Sequence, residues 1–159
     1  MVDIHCHILP GFDDGADNLE EAVRMARIAV DSGTKAIIAT PHSNIPGSYQ
    51  NYCSQRYVDT YRALKQRIEE ENIPLQIYSG HEIFAAGDIA GMIKARKLLT
   101  LRNSNYPLVE FSFRESAEVV YRKLRELIVE GFTPVVAHPE RYEYVSFNDK
   151  STRRSKNGS

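Results

Sequence analysis

Two hydrophobic rhythms alternate along the chain. Short β-rich runs at residues 2–4, 35–40, 75–79, 108–112 and 133–137 predict five strands. Between them apolar residues recur every three or four positions, the spacing of a helix face. Asp17 or Asn18 caps a first helix whose face is Leu19, Ala22, Val23, Ala26, Ala29 and Val30, and Gly33 stops it. A second helix is expected over 54–72, buried through Tyr57, Tyr61, Leu64 and Ile68. A short third is expected over 88–95. A fourth starts at Ser116, with Val119, Val120, Leu124, Leu127 and Ile128 inward and Gly131 as its stop. Residues 98–101 are expected to add an edge strand. The polar stretch 43–51, rich in Ser, Asn, Gly and Pro, is long for a connector and is expected to form a lid over a site. Strand and helix in alternation predict right-handed βαβ units and a parallel α/β sheet of about five strands.

The pattern fails after Tyr144. Residues 148–159 carry no apolar side chain and are expected to be a disordered tail behind a folded domain of residues 1–147. That tail also hides a charge asymmetry. Its Lys150, Arg153, Arg154 and Lys156 bring the formal net charge to −1; without them 16 basic residues face 21 acidic ones, a net of −5. An acidic body is a poor match for nucleic acid. No apolar run approaches the roughly 18 residues of a membrane span. Met1-Val2 runs straight into Asp3 and His5, where the apolar segment of a leader would stand. A cytoplasmic location is expected. Cys6 and Cys53, with no CxxC spacing, are expected to be free thiols.

The chemistry lies in the five histidines. His5 and His7 leave the first predicted strand, His42 the second, His81 and Glu82 the third, and His138 the fifth, while Glu110 sits inside the fourth. The carboxyl edge of a parallel sheet is where sites assemble. In extended chain His-x-His puts both imidazoles on one side, about 6.5–7 Å apart along the strand. Asp13 and Asp14 follow in GFDDG, whose glycines let the chain fold back. One histidine at a strand end is more often structural, and Asp-Asp-Gly alone can be a turn and helix cap. His81, adjacent to Glu82, should face the other way, and Cys6 should face the core. Together, however, imidazoles and carboxylates without thiolate suit zinc, manganese, iron or nickel. Several carboxylates can bridge two such ions, a device for hydrolysing phosphoesters.

The segments DIHCHILPGFDDG (3–15), TPH (40–42), GHEI (80–83) and AHPERY (137–142) resemble, in order and spacing, those of the bacterial PHP-domain protein-tyrosine phosphatases that regulate capsule and exopolysaccharide synthesis. The resemblance implies a distorted (β/α)7 barrel holding two or three divalent ions, manganese foremost, with zinc, iron or magnesium as alternatives. It implies His5 and His7 on one ion, Glu110 and His138 on a second, Asp14 and His42 on a third, and Glu82 bridging. Arg141 would grip the phosphate, and Arg141 and Glu110 are the residues expected to act in the reaction. The implied partner is a phosphotyrosine protein, a bacterial tyrosine autokinase foremost. Histidinol-phosphate phosphatase and a non-catalytic metal-binding module are the alternatives.

The family pattern continues for about two more βα units of about 30 residues each, with a late Asp-x-His that completes the cluster. Here no histidine follows His138. The expectation is an incomplete barrel, through truncation or frameshift, with little activity of its own and association through its open edge.

Overall fold

The computed structural model describes residues 1–143 and 145. The predicted tail lies outside them. In chain order the elements are β1 (Val2–Cys6), α1 (Leu19–Asp31), β2 (Ala36–Ala39), β3 (His42–Ser43), α2 (Gln55–Glu70), β4 (Gln76–Ser79), β5 (Glu82–Phe84), α3 (Ile89–Lys94), β6 (Leu108–Glu110), α4 (Ala117–Val129) and β7 (Val135–Val136). Asn18, Ser54, Asp88 and Ser116 cap the four helices, each side chain accepting from the backbone N–H three residues on.

Among the described residues all strand pairings are parallel. They fall into two sheets, ordered β1-β2-β4 and β3-β5-β6-β7. The described residues hold seven strands in place of the expected five, because two strand paths resume beyond the ends of their expected runs, as β3 and β5. The second breaks at Pro41, which has no N–H to give a ladder. The third breaks at Gly80 and His81. The five chain paths keep one order across both sheets, so they form a single wall, folded along the line joining these two breaks. Gly80 is required there: a Cβ on it would stand 2.9 Å from Ile38 Cγ2.

Both faces of the wall are covered, as for an all-parallel sheet. On β2, Ile37 and Ala39 pack with α1 and α2, against Ala22, Val23, Leu64 and Ile68. Ile38 turns to the opposite side, with Leu101, Leu108 and Ala137. A further cluster of Ile83, Val109, Val120, Leu127 and Tyr142 seats α4.

Two expectations are corrected. Residues 98–101 are not an edge strand. Leu98 is buried beside Val109, and the chain then enters a 3-10 turn at Leu101–Asn103, where Arg102 and Asn103 adopt φ of 53° and 59°. Left-handed residues cannot continue a ladder. Ile128 is not inward but 59% exposed, because the buried stripe of α4 follows Val120, Leu124 and Leu127, one step round the helix. No helix among the described residues is long and apolar enough to cross a membrane.

Candidate metal centre

At the carboxyl edge of the wall, four histidines surround one glutamate. Glu82, the first residue of β5, is fully buried. Its Oε2 lies 3.0 Å from His5 Nε2, 3.2 Å from His7 Nε2 and 3.0 Å from His42 Nδ1. Its Oε1 lies 3.3 Å from His138 Nε2. The fold explains the convergence. His5, near the end of β1, and His7, just beyond it, have ring centroids 5.2 Å apart. His42 is the register partner of Glu82 in the parallel pair β3–β5. Glu110 closes β6 and reaches His42 Nδ1 at 3.4 Å. His138 follows β7 in a left-handed conformation, and its ring comes within 4.6 Å of His5.

The turn GFDDG folds back onto this cluster. Gly11 N–H donates to Ala16 O, and Ala16 N–H to His7 O. Asp13, which the resemblance did not single out, does most in this turn. Its Oδ2 accepts from His7 Nδ1 at 2.8 Å and from the His42 backbone N–H at 2.7 Å, while Oδ1 accepts from Gly15 N–H. A carboxylate on Nδ1 turns His7 Nε2 inward, the usual second partner of a ligating imidazole. Asp14 is more exposed and lies 3.7 Å from His42 Nε2.

Charge follows the geometry. Burial opposes ionisation of Glu82, but the imidazoles of His42, His5 and His7 hold its carboxyl far below the usual range. Burial likewise opposes a charged His7. The hydrogen bond to Asp13 and the contact with Glu82 prevail and lift it to about 9. For His42, contacts with Glu110 and Glu82 overcome burial and lift it to about 10. His138 is lowered, by burial first, with the charges of His5 and Arg141 adding to it.

The donor set fits divalent cations. Both Glu82 oxygens and His42 Nδ1 are buried and complete no hydrogen bond with the groups around them. His5 Nε2 and His7 Nε2 face each other at 3.2 Å. Donor atoms about 3.0–3.4 Å apart are the edges of a polyhedron whose bonds are about 2.1 Å, the nitrogen and oxygen distances of a metal site. Three overlapping groups each bring one ligand atom per residue within 4.8 Å of one another: His5, Glu82 and His138; His7, His42 and Glu82; and His7, Asp13 and Asp14.

Other expected residues stand apart. Arg141 ends a 3-10 turn at Pro139–Arg141; its side chain is more than half exposed, 5.9 Å over the Phe113 ring. His81 faces away from Glu82 as expected, fully buried, accepting from Leu99 N–H at 3.0 Å. Burial pushes it down to about 3, so it is neutral. Cys6 packs against the core, and burial raises its thiol to about 12. The expected lid is tied down at its ends. Ser43 donates to Asn51 O, and the Asn51 amide donates to Phe12 O and His42 O. Its Tyr49 ring stacks on His42 at 5.6 Å.

The chain is 39% identical over 148 residues to tyrosine-protein phosphatase YwqE of Bacillus subtilis, covering 93% of this chain and 58% of that one. It is 32% identical over 142 residues to tyrosine-protein phosphatase CpsB of Streptococcus agalactiae, covering 89% and 58%. The fold superposes, with a TM-score of 0.83 and 39% identity over 92% of this chain and 58% of the other, on a chain from the crystal structures of YwqE from Bacillus subtilis and CpsB from Streptococcus pneumoniae, described as unique metal-dependent tyrosine phosphatases. The chain therefore spans less than two thirds of the length of these relatives. A sequence model for capsular polysaccharide synthesis proteins of the CpsB/CapC type matches residues 1–156. With 39% identity to one member across nearly its whole length, the chain belongs to the CpsB/CapC family.

Proposed function

We propose that the chain carries the metal centre of a manganese-dependent phosphatase that removes phosphate from tyrosine in a protein of capsule or exopolysaccharide synthesis, a tyrosine autokinase foremost, in the cytoplasm. The wall of five parallel paths is then part of a PHP-type barrel. The observation that supports this reading is Glu82: a buried carboxylate ringed by four imidazoles from three other strand paths.

His5, His7, His42, Glu82, Glu110, His138 and Asp14 would hold the ions, and Asp13 would keep His7 Nε2 turned inward. Bound there, divalent ions supply Lewis-acid charge neutralisation and lower the pKa of water. The protein's own part is to bind and orient. Arg141 offers the planar fork suited to phosphate, and its exposure leaves it free to swing to a ligand. Neither Cys6 nor Cys53 lies in a Cys-x5-Arg loop, and the Cys6 thiol is held protonated, so neither serves as nucleophile.

Substrate preference tests the reading. With added manganese, a phosphotyrosine peptide should be hydrolysed faster than histidinol phosphate or a phosphoserine peptide, and chelation should abolish turnover. Faster hydrolysis of histidinol phosphate would favour a small-phosphoester enzyme. Metal analysis after gel filtration should find bound ion in the parent chain and less in His5→Ala/Glu82→Ala. Equal metal in the two would remove the basis of the proposal.

A further inference from the structure

Tyr57 touches the segments that carry two of the site's carboxylates, Asp13 and Glu82. Its ring lies in the first turn of α2, fully buried, edge-on to Phe12 of the GFDDG turn at 5.7 Å between centroids. On its other side it meets His81 edge-on at 4.9 Å. Its hydroxyl donates to Gly80 O at 2.9 Å and accepts from Gly80 N–H at 3.3 Å. One phenol thus satisfies both main-chain polar groups of the residue at which the third strand path bends.

That bend is where strand pairing lapses. The β2–β4 ladder ends at Ala39 and Ser79, and pairing resumes only at His42 and Glu82. Gly80 and His81 therefore have no ladder to fix them, and they are the two residues directly before Glu82. Side chains alternate across extended chain, so a rotation at His81 would turn Glu82 out of the imidazole ring. Three hydrogen bonds oppose such a rotation: two between Tyr57 and Gly80, and one from Leu99 N–H to His81 Nδ1. Burial raises the Tyr57 phenol, so it remains a donor.

We propose that Tyr57 is a positioning residue for the metal centre, its hydroxyl clamping the Gly80 peptide so that Glu82 stands where the four histidines converge. The proposal rests on the metal-site reading above, and the structure supplies its own control. Tyr61, one turn further along α2, donates its hydroxyl to Ile77 O at 2.8 Å, on the same strand path but before the bend. Tyr57→Phe and Tyr61→Phe each remove the phenol hydroxyl and keep the ring.

Manganese is titrated calorimetrically into the parent chain and both variants, and Tm is recorded without metal. The support of a metal ligand is commonly worth about 10–100-fold in affinity. Tyr57→Phe should weaken manganese binding about tenfold or more, and Tyr61→Phe by less than about twofold, at a temperature well below the Tm of both variants. Equal weakening by both, or none by Tyr57→Phe, overturns the proposal. A parent chain that takes up no manganese overturns the metal reading instead. The clamp is then judged in the metal-free protein, where imidazole NMR signals of His5, His7, His42 and His138 should move in Tyr57→Phe and hold in Tyr61→Phe. Unmoved signals in both variants reject it.

Discussion

Replacing Glu82 by Gln in the metal-free chain should lower Tm by roughly 10 °C near pH 7. Removing one partner of a buried ion pair costs about 3–5 kcal/mol, because the other charge stays buried. In a chain of this size each kcal/mol is worth about 2–4 °C. Here the stranded charges are His7 and His42, lifted to about 9 and about 10. The sign of the pH dependence follows. Groups whose folded pKa is raised contribute stability in full below the unfolded value of about 6.5, and lose it as pH rises through the folded value. The parent chain without metal should therefore lose stability between about pH 7 and 10. The penalty of Glu82→Gln should shrink over the same range as both imidazoles become neutral. Glu82 itself, held low, contributes above the usual carboxylate range and ceases to contribute only in strong acid. Glu110→Gln should cost less, since Glu110 meets His42 alone among the four imidazoles. A Glu82→Gln penalty unchanged from pH 7 to 10 would show that the histidines carry no charge in the folded chain.

Metal should reverse the slope. A ligating imidazole must be neutral, so binding displaces protons from His7 and His42 and strengthens as pH rises. An ion at about 100 times its Kd stabilises by about 2.7 kcal/mol. With manganese the parent chain should gain stability from pH 7 towards 9, where without it stability falls. In Glu82→Gln manganese should make little difference at any pH.

How much of this was legible in the sequence depends on the length scale of each cause. The helix caps at Asn18, Ser54, Asp88 and Ser116 are local chemistry: Asn18 is one of the two residues the sequence offered for the first cap, and the other three stand at the expected helix starts. The histidines at the strand ends were legible because the strand rhythm alone puts them on one edge. The facing of His81 away from Glu82 followed from alternation, although the complete burial of Glu82 did not. What failed depended on distant partners. The break of the third strand path at Gly80 involves the close pass of Ile38, which no local window contains. Residues 98–101 look extended by composition, but the left-handed turn after them gives them no neighbour strand. Ile128 fits the apolar rhythm of α4, and only the placement of that helix against Val109 and Tyr142 decides which side is covered. Asp13 and Asp14 are equivalent in sequence; the fold makes Asp13 the carboxylate that reaches His7 Nδ1 and His42 N–H.

The turn that makes this distinction should also be the least forgiving place in the chain. Gly15→Ala is expected to cost about 3–5 kcal/mol and most of the metal affinity. A Cβ on Gly15 would lie 2.0 Å from His7 O, 2.4 Å from His7 Cβ and 2.9 Å from His7 C. These are main-chain or near-main-chain atoms of a candidate ligand, so no rotamer can clear them. Overpacking of this kind costs about 1–3 kcal/mol by itself. Relieving it by moving the turn breaks Ala16 N–H to His7 O and Gly15 N–H to Asp13 Oδ1, each worth about 1–3 kcal/mol when a buried group is left unpaired. Asp13 would then release His7 Nδ1 and the His42 backbone together. Gly33 is the control: it adopts a φ of 85° with nothing within 4 Å of a built Cβ. Gly33→Ala therefore measures left-handed strain alone, about 1–2 kcal/mol, and should leave manganese affinity unchanged. Gly15 needs space rather than a left-handed backbone, so only its substitution should carry stability and metal binding down together. Thermal unfolding and manganese titration of the two variants decide it. If Gly15→Ala melts no lower than Gly33→Ala and binds manganese as the parent does, the turn is not pressed against His7 and the role given to Asp13 falls with it.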